Sequence, residues 1–151
     1  MKNSYFDTSA GRDWWGHPRF WAAHKNGRMP LEIKALSDLR GRYGSRYIVR
    51  ILNWTMSERR MFHRCYMEYA SFGDLNALKK KLLPKEGDGT YPPEPFLWHL
   101  FECLAEAAVL LEHGELTPNP TSDWKLIVHR DLKLSNVFLT DEDPHNYCLC
   151  K

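Results

Sequence analysis

The sequence contains few cysteines, and their spacing excludes two classes of protein. Four cysteines occur among 151 residues, at positions 65, 103, 148 and 150. They do not form the dense pattern of a disulfide-stabilised secreted domain, so we expect reduced thiols. Cys148 and Cys150 follow His145, but their spacing is not C-x-x-C and no second pair exists, which argues against a zinc site. Alternate positions of a strand are the simpler interpretation of this pair.

Long apolar runs and a strong net charge are also missing. No stretch approaches the roughly 20 apolar residues of a membrane-spanning helix, and the first residues lack the apolar centre of a signal peptide. We therefore expect no membrane partner and a cytoplasmic or nuclear location. The formal net charge of +2 is too small to predict a nucleic-acid partner. The run Lys79-Lys80-Lys81 fits the solvated face of a helix.

What is present is a pattern of short helices and strands that becomes regular at Pro30. Residues 1–29 have no clean period, and we predict a poorly defined segment there. Apolar residues at helical spacing predict an amphipathic helix from Leu31 to Leu39, closed by Gly41. The β-branched run 47–52 and the segment 59–69 predict two antiparallel strands with a turn at 56–58.

Two further helices and several short strands are predicted in the remaining chain. The helical spans are 75–83 and 96–112, the second ended by Gly114, with a loop at 84–95 between them. Short strands are predicted at 126–128, 137–139 and 147–151, with a polar turn at 141–146.

The polar loop at 129–136 carries the strongest chemical signal. Its sequence is His-Arg-Asp-Leu-Lys-Leu-Ser-Asn. Transfer of a phosphoryl group requires a carboxylate to orient the attacking hydroxyl, a cation on the phosphoryl group and an oxygen ligand for the metal. Asp131, Lys133 and Asn136 are spaced for these three tasks. A polar turn that only bends the chain explains Asp131 and Asn136 singly, but not the Arg, the Lys and the strand-like Val-Phe-Leu together.

A second signal lies at 67–75, where a predicted strand becomes Met-Glu-Tyr-Ala-Ser-Phe-Gly-Asp-Leu. An adenine ring needs one acceptor and one donor side by side at the edge of an apolar slot, and extended backbone can supply both. The C=O of Glu68 and the N–H and C=O of Ala70 are the candidates. Asp74 also begins the helix at 75, so the capping of that helix is its simplest role.

The two signals together resemble a eukaryotic protein kinase. Residues 129–136 match H-R-D-L-x-x-x-N, the kinase catalytic loop, and 67–75 are similar to the kinase hinge M-E-Y-x-x-x-G-D-L. The resemblance covers about residues 30–151 and implies part of a two-lobed kinase fold of the α+β class. Residues 30–69 would be the second half of the small lobe, 67–75 the hinge, and 76–151 the first part of the large lobe.

The resemblance also implies roles for individual residues. Asp131 would be the catalytic base, Lys133 the cation on the γ-phosphoryl group, Arg130 the partner of a phosphorylated activation loop, and Asn136 the Mg²⁺ ligand. His129 would be structural. Lys133, two positions after Asp131, indicates the serine/threonine class. The expected cofactors are ATP and Mg²⁺, and the expected partner is a protein substrate with Ser or Thr hydroxyls.

The remaining implied roles concern the nucleotide. Met67 would lie behind the adenine as gatekeeper, Glu68 and Ala70 would bond its edge, and Phe138 would form the floor of its slot. Asp74 would meet the ribose hydroxyls or a basic substrate. Glu32 would pair with a phosphate-anchoring lysine on the preceding strand, although a carboxylate in the first turn of a helix is also favoured by the helix dipole alone.

The sequence departs from the kinase pattern in two places. No G-x-G-x-x-G-x-V occurs before residue 30, and the printed sequence contains no D-F-G. Lys25 is the candidate anchoring lysine, but it precedes Glu32 by too few residues for a strand end, a connection and a helical turn. We therefore interpret this chain as a kinase fragment that is inactive alone, although its catalytic loop is intact.

Three alternatives follow from these departures. A small-molecule phosphotransferase also uses an Asp–Asn loop, but it typically has Gly where this chain has Arg130 and lacks a Lys at the position of Lys133. A truncated pseudokinase would act as a non-catalytic binding or regulatory protein. An incomplete gene product would have no independent function.

Overall fold

The computed structural model describes residues 2–5, 13, 15–25, 27–82, 91–117, 119, 123–140 and 149–150. These residues form a mixed α+β structure, in agreement with the predicted class. The chain divides into two compact units. Unit 1 comprises residues 1–40 and 50–68, and unit 2 comprises 41–49 and 69–151. No helix in these ranges is both long and apolar enough to cross a membrane.

The described residues of unit 1 include two small antiparallel sheets, the 3₁₀ helix Pro18–Phe20 and a longer α-helix. The strands β1 (Lys2–Tyr5), β5 (Phe62–Met67) and β4 (Ile51–Ser57) form a sheet with β5 in the centre. The strands β2 (Trp21–His24) and β3 (Gly27–Pro30) form a hairpin. The helix α1 (Leu31–Leu39) follows β3 directly, and its predicted bounds are confirmed.

The core of unit 1 lies where α1 meets the strands. Met29, Ile33, Ile51 and Cys65 are buried there, and Ala22, Leu36, Trp54 and Met67 pack around them. Ile33 has no exposed surface, so the amphipathic pattern of α1 places its apolar face inward as predicted. Gly41, with φ of 75°, follows the helix in the left-handed region, where glycine is the favoured residue.

The predicted strands at 47–52 and 59–69 are displaced in the structure. Residues Ser45–Tyr47 form a 3₁₀ helix instead, and β4 begins at Ile51. The turn between β4 and β5 falls after Ser57, beyond the predicted 56–58. The cause is tertiary, because Tyr47 is only 6% exposed and belongs to the core of unit 2. Pattern reasoning also missed β1, β2 and β3, which lie where the sequence has no period.

Unit 2 is built around one long helix. Its regular elements are α2 (Leu75–Leu82), α3 (Glu94–His113), and the antiparallel pair β6 (Leu139–Thr140) and β7 (Leu149–Cys150). A 3₁₀ helix at Leu134–Asn136 lies between α3 and β6. Five buried residues form the core, with α3 side chains packed against them: Tyr47, Leu75, Cys103, Val137 and Leu139.

The long helix α3 extends the predicted span by one or two residues at each end. Gly114 ends it with φ of 78°, and its N–H donates to the Leu110 carbonyl at 2.8 Å. Cys103 and Leu110 are buried on one face of the helix. Trp98 and Phe101, in contrast, are 66% and 68% exposed. The helix α3 is therefore apolar on both the packed face and the exposed face.

Two predicted strands of unit 2 are not regular strands. Residues 126–128 are irregular, although the N–H of Ile127 donates to the Leu111 carbonyl at 3.0 Å. Residues 137–139 contain a single bridge, between Phe138 and Asp74, before β6 begins. A hydrogen bond to the end of α3 in one place and a single bridge in the other stand where strand pairing was predicted. The predicted loop at 84–90, turn at 141–146, helix end at 83 and strand residues 147, 148 and 151 lie outside the described residues.

Candidate functional site

The frame of the site is a short antiparallel contact within unit 2. The N–H of Phe72 donates to the Leu139 carbonyl at 3.1 Å, and the N–H of Leu139 donates to the Gly73 carbonyl at 2.9 Å. The N–H of Leu75 donates to the Val137 carbonyl at 2.9 Å. Val137 and Leu139 are buried, at 4% and 2% exposed. The end of the 67–75 motif therefore fixes the backbone that follows the 129–136 loop.

The loop itself is held by local hydrogen bonds. The N–H of Asp131 donates to Nδ1 of His129 at 3.2 Å, which gives His129 the structural contact that the sequence predicted. Arg130 has φ of 60°, in the left-handed region that non-glycine residues seldom adopt. The N–H of Asn136 donates to the Lys133 carbonyl at 2.9 Å and closes the 3₁₀ turn. The loop thus reverses sharply at Arg130 and returns towards Val137.

Two predicted catalytic residues and the predicted metal ligand meet at one carboxylate. The Lys133 Nζ lies 2.8 Å from Oδ2 of Asp131. The Asn136 Nδ2 donates to the same Oδ2 at 2.9 Å and to the Asp131 backbone carbonyl at 2.8 Å. The Lys133 ammonium, followed by the Asn136 amide, holds the pKa of Asp131 below its usual range. Asp131 is therefore a carboxylate at neutral pH, and two donors fix its orientation.

The Asp131 carboxylate is open to solvent, whereas two residues that follow the loop are buried. The side chains of Asp131 and Lys133 are 63% and 55% exposed, whereas Val137 and Leu139 behind them are buried. An ionised, oriented and accessible carboxylate can accept a hydrogen bond from a hydroxyl and take its proton. The adjacent ammonium can reach an anionic group beside that hydroxyl. The arrangement therefore places a candidate base beside a cation.

Asn136 fits one position of a magnesium site. Both of its contacts use Nδ2, so the hydrogen-bond network assigns Oδ1 as the remaining acceptor. Amide and carboxylate oxygens are suitable Mg²⁺ ligands, and phosphates and waters normally complete the set. Within the described ranges, no group of three or more His, Cys, Asp or Glu is placed to hold a metal. Asn136 would thus be one ligand of the metal ion, and a nucleotide would supply others.

The hinge residues are divided between the two units. In unit 1, Met67 ends β5 and packs at the edge of the core. The Glu68 carboxylate accepts the Arg50 N–H at 2.7 Å, and its N–H donates to the Arg50 carbonyl at 3.1 Å. In unit 2, the Ala70 carbonyl accepts the Gly73 N–H at 3.3 Å. The adenine contacts of Met67, Glu68 and Ala70 stay predictions.

Asp74 and Phe138 face each other across the frame. The Asp74 Oδ1 accepts the Ala77 N–H at 2.8 Å, and this contact confirms the predicted cap of α2. Phe138 is half-buried and forms its bridge with Asp74. This bridge belongs to the same unit as Asp131. The roles of Asp74 towards a ribose and of Phe138 towards an adenine stay predictions.

Glu32 contacts a residue that the sequence did not indicate. Its Oε2 lies 3.5 Å from Nε2 of His63, which is on β5 and 2% exposed. Lys25, the candidate anchoring lysine, lies in the tight turn between β2 and β3 and is exposed. A lysine in such a position is solvated, and this is the simplest role for Lys25. Glu32 therefore contacts a buried imidazole.

Sequence reasoning missed the residues that hold the chain preceding the 129–136 loop in place. Trp124 donates from Nε1 to the Leu111 carbonyl at 3.1 Å, and the Arg42 guanidinium lies 4.3 Å from the centre of its indole ring. Arg42 also donates to the Gly114 carbonyl at 3.2 Å. This group, which we call the Trp124 anchor, ties the chain before residue 129 to the end of α3. A tryptophan among the polar residues of 115–124 was the available signal.

A comparison with known proteins supports the kinase resemblance over part of the chain. A similar region occurs in a curated protein kinase, so part of the chain is kinase-like. That relative is the G2-specific protein kinase nim-1 of Neurospora crassa, which is 31% identical over 93 aligned positions. The match covers 52% of this chain and 10% of the length of that protein. No family model matches the sequence.

Proposed function

We propose that this chain carries the catalytic-loop region of a serine/threonine protein kinase. The supporting observation is the Asp131 carboxylate, which Lys133 and Asn136 contact at 2.8 and 2.9 Å. A polar turn needs no such convergence of a cation and an amide on one exposed oxygen. The partial similarity to a protein kinase points in the same direction.

In the proposed reaction a Ser or Thr hydroxyl of a protein substrate attacks the γ-phosphorus of ATP. Asp131 accepts the hydroxyl proton, the new O–P bond forms, and ADP leaves with the electrons of the broken bond. Lys133 lies beside Asp131 and neutralises charge on the transferred group. Asn136 supplies one oxygen ligand to Mg²⁺, which screens the phosphate charges when it is bound. Arg130 is the proposed partner of a phosphorylated segment.

The nucleotide base is assigned by resemblance alone. We propose that Met67, Glu68 and Ala70 contact the adenine, that Phe138 packs on it, and that Asp74 meets the ribose or a basic substrate residue. The proposed role of Glu32 is to orient a phosphate-binding lysine. Its contact with His63 gives this carboxylate a fixed position within unit 1.

The test is phosphate transfer from Mg-ATP to a library of Ser/Thr peptides by residues 1–151, measured by single-turnover detection of the labelled product. Asp131→Asn should lower the rate by about 10²–10⁴-fold, because general-base catalysis contributes that much. Asp123→Asn is the matched control, since Asp123 is also an exposed acid on the approach to the loop. Transfer by the parent chain that Asp131→Asn leaves unchanged would refute the proposal.

One observation favours a second candidate, a non-catalytic kinase-like binding protein. The β2–β3 hairpin pairs His24 with Gly27, and the sequence between its strands is too short for a glycine-rich loop, so the phosphate cradle of an active kinase has no counterpart in this hairpin. Titration with a fluorescent ATP analogue separates the two functions. Binding that Asn136→Ala weakens only in the presence of Mg²⁺, without any transfer, would favour the second candidate.

A further inference from the structure

The face of α3 that meets the core of unit 2 carries a nucleophile beside a base. His99, Glu102 and Cys103 stand at positions i, i+3 and i+4 of the helix and therefore share one face. The Cys103 Sγ lies 3.5 Å from Nε2 of His99. The Glu102 Oε2 lies 3.5 Å from Nδ1 of the same ring. A thiol, an imidazole and a carboxylate are thus in contact in that order.

The order of these contacts assigns a role to each nitrogen of His99. A carboxylate at Nδ1 favours the tautomer that carries its proton on Nδ1, which leaves Nε2 as the acceptor for the Cys103 S–H. A nucleophile held by a base, with the base oriented by a third group, is the arrangement that activates thiols in proteins. The proposed phosphoryl transfer uses none of these three residues.

Tyr47 covers the thiol. Cys103 is 1% exposed and Tyr47 is 6% exposed, and the two side chains form a hydrogen bond. The centre of the Tyr47 ring lies 6.3 Å from that of the His99 ring, in an edge-on arrangement. A thiol buried in this way is inert towards reagents in solution. Cys103 can therefore react only when Tyr47 moves away.

The end of the covering segment is weakly held. Among residues 41–49, all of which the structure describes, Tyr47 is the only buried one. Arg42 is held at the end of α3. Arg46 contacts Glu106 at 3.2 Å, but its side chain is 60% exposed, and exposed ion pairs add little stability. A stretch that buries a single side chain should open locally while the rest of the chain stays folded.

We propose that Cys103 is a peroxide-sensitive thiol whose exposure Tyr47 controls, with His99 as its base and Glu102 as the residue that orients His99. When Tyr47 lifts, the S–H proton passes to Nε2, and the thiolate attacks one oxygen of hydrogen peroxide. The S–O bond forms, the O–O bond breaks, and the leaving hydroxide takes the proton from Nε2 to become water. Sulfur loses two electrons and the peroxide gains them, so the products are a sulfenic acid and water.

The added oxygen should keep Tyr47 out of the core. A sulfenic acid is larger and more polar than a thiol, and its burial at the same position would cost free energy. Val137 and Leu139, which support the 129–136 loop, belong to that core, so oxidation should loosen the loop. The proposal does not depend on phosphoryl transfer, because no step uses a nucleotide. Its failure and that of the kinase proposal can therefore be told apart.

The experiment treats the 151-residue chain with hydrogen peroxide and traps sulfenic acids with dimedone, and mass spectrometry locates the label. Every sample carries Cys148→Ser and Cys150→Ser, so that Cys103 and Cys65 are the remaining cysteines. Cys65 is the internal control, because it is 0% exposed and lies in the core of unit 1. Cys103 should be labelled at least about tenfold faster than Cys65. Equal rates at the two cysteines would overturn the proposal.

The first pair of matched variants tests the base. His99→Gln should slow the labelling of Cys103 at least about tenfold, because it removes the proton acceptor, and it should weaken the rise of the rate with pH. His113→Gln is the control, since His113 stands at the other end of the same helix. A Cys103 rate and pH profile that His99→Gln leaves unchanged would contradict the proposed role of the imidazole and overturn the proposal.

The second pair tests the cover. Tyr47→Ala should speed the labelling of Cys103 at least about tenfold, and Tyr43→Ala is the control, because Tyr43 is 84% exposed in the same segment. If Tyr47→Ala also speeds the labelling of Cys65, the whole chain has opened, and Arg46→Gln replaces it. Loss of that exposed ion pair should speed Cys103 about two- to fivefold and leave Cys65 unchanged. No acceleration at Cys103 in either variant would overturn the proposal.

Discussion

The two units differ in how far apart in sequence their core residues lie. In unit 1, Met29 and Cys65 are the outermost buried members of the core and lie 36 positions apart (65 − 29). In unit 2, Tyr47 and Leu139 lie 92 positions apart (139 − 47). Contacts at long sequence separation cost more chain entropy to close. The candidate catalytic loop belongs to the unit whose core depends on such distant contacts.

The consequence of this difference is that the 129–136 loop is sensitive to residues far from it. Val137 and Leu139 support the loop directly, and both depend on Cys103 and Tyr47 to complete the core of unit 2. The core of unit 1 contains none of these residues. Changes to either core should therefore have separable effects on the loop, and the following predictions test this separation.

The largest effect is expected from truncation of the two cores. Ile33→Ala in unit 1 and Leu139→Ala in unit 2 each remove a side chain that is at most 2% exposed. Each should lower the free energy of unfolding by about 2–5 kcal/mol. Hydrogen exchange should show faster exchange at Asn136 for Leu139→Ala but not for Ile33→Ala. Equal acceleration by both variants would show that the two units unfold as one.

The next effect concerns two glycines of unit 2 with nearly the same backbone angle. Gly114 has φ of 78° and Gly41 has φ of 75°. An added Cβ at Gly114 would lie 2.5 Å from the Trp124 ring, whereas Gly41 faces open space. Both alanine variants lose about 1–2 kcal/mol to the left-handed backbone. Gly114→Ala should lose about 1–3 kcal/mol more through overpacking, measured by denaturant unfolding.

Alkaline pH should weaken unit 2 through Tyr47. Burial, followed by the nearby Cys103, raises the pKa of Tyr47 to about 12, whereas an unfolded tyrosine ionises near pH 10. The stabilisation is therefore complete below pH 10 and is lost as the pH rises from 10 to 12. One pKa unit corresponds to about 1.4 kcal/mol. Guanidinium unfolding at pH 9 and pH 11 should show a larger loss for the parent chain than for Tyr47→Phe.

The smallest effect is expected at the cap of α2. Asp74→Ala removes the acceptor of the Ala77 N–H and should cost about 1 kcal/mol of unfolding free energy. Asp74→Asn keeps the capping oxygen and should recover most of this loss. Thermal unfolding of both variants provides the measurement. If the asparagine variant is as unstable as the alanine variant, the negative charge of Asp74 matters more than its hydrogen bond.

The elements that local sequence defines were predictable. Helices at Leu31–Leu39 and Glu94–His113, and the caps at Asp74 and Gly114, follow from apolar spacing and end signals. The start of β4 was not, because the burial of Tyr47 in the core of unit 2 keeps residues 45–47 out of the strand. Tertiary packing overrides a β-branched run when one of its members fills a distant core.

The residues of the candidate site and their chemistry were predictable from the sequence, but the contacts that hold the surrounding chain in place were not. The spacing of Asp131, Lys133 and Asn136 indicated a shared task, and the structure places their side chains in contact. Arg42 and Trp124 carried no motif, because a cation over an indole ring depends on two segments 82 positions apart (124 − 42). The contact of Glu32 with His63 likewise joins a helix to a non-adjacent strand.

Residues 41–49 belong to unit 2, although the chain on both sides of them belongs to unit 1. During synthesis, Tyr47 leaves the ribosome long before Cys103, Val137 and Leu139 are made. The strands β4 and β5, which both follow this segment, can pair at once because they are adjacent in sequence, while Tyr47 remains in an undocked loop. Domains tend to fold in the order of synthesis. The docking of residues 41–49 should therefore be the late step of folding, and its speed would set how soon the 129–136 loop acquires a rigid support.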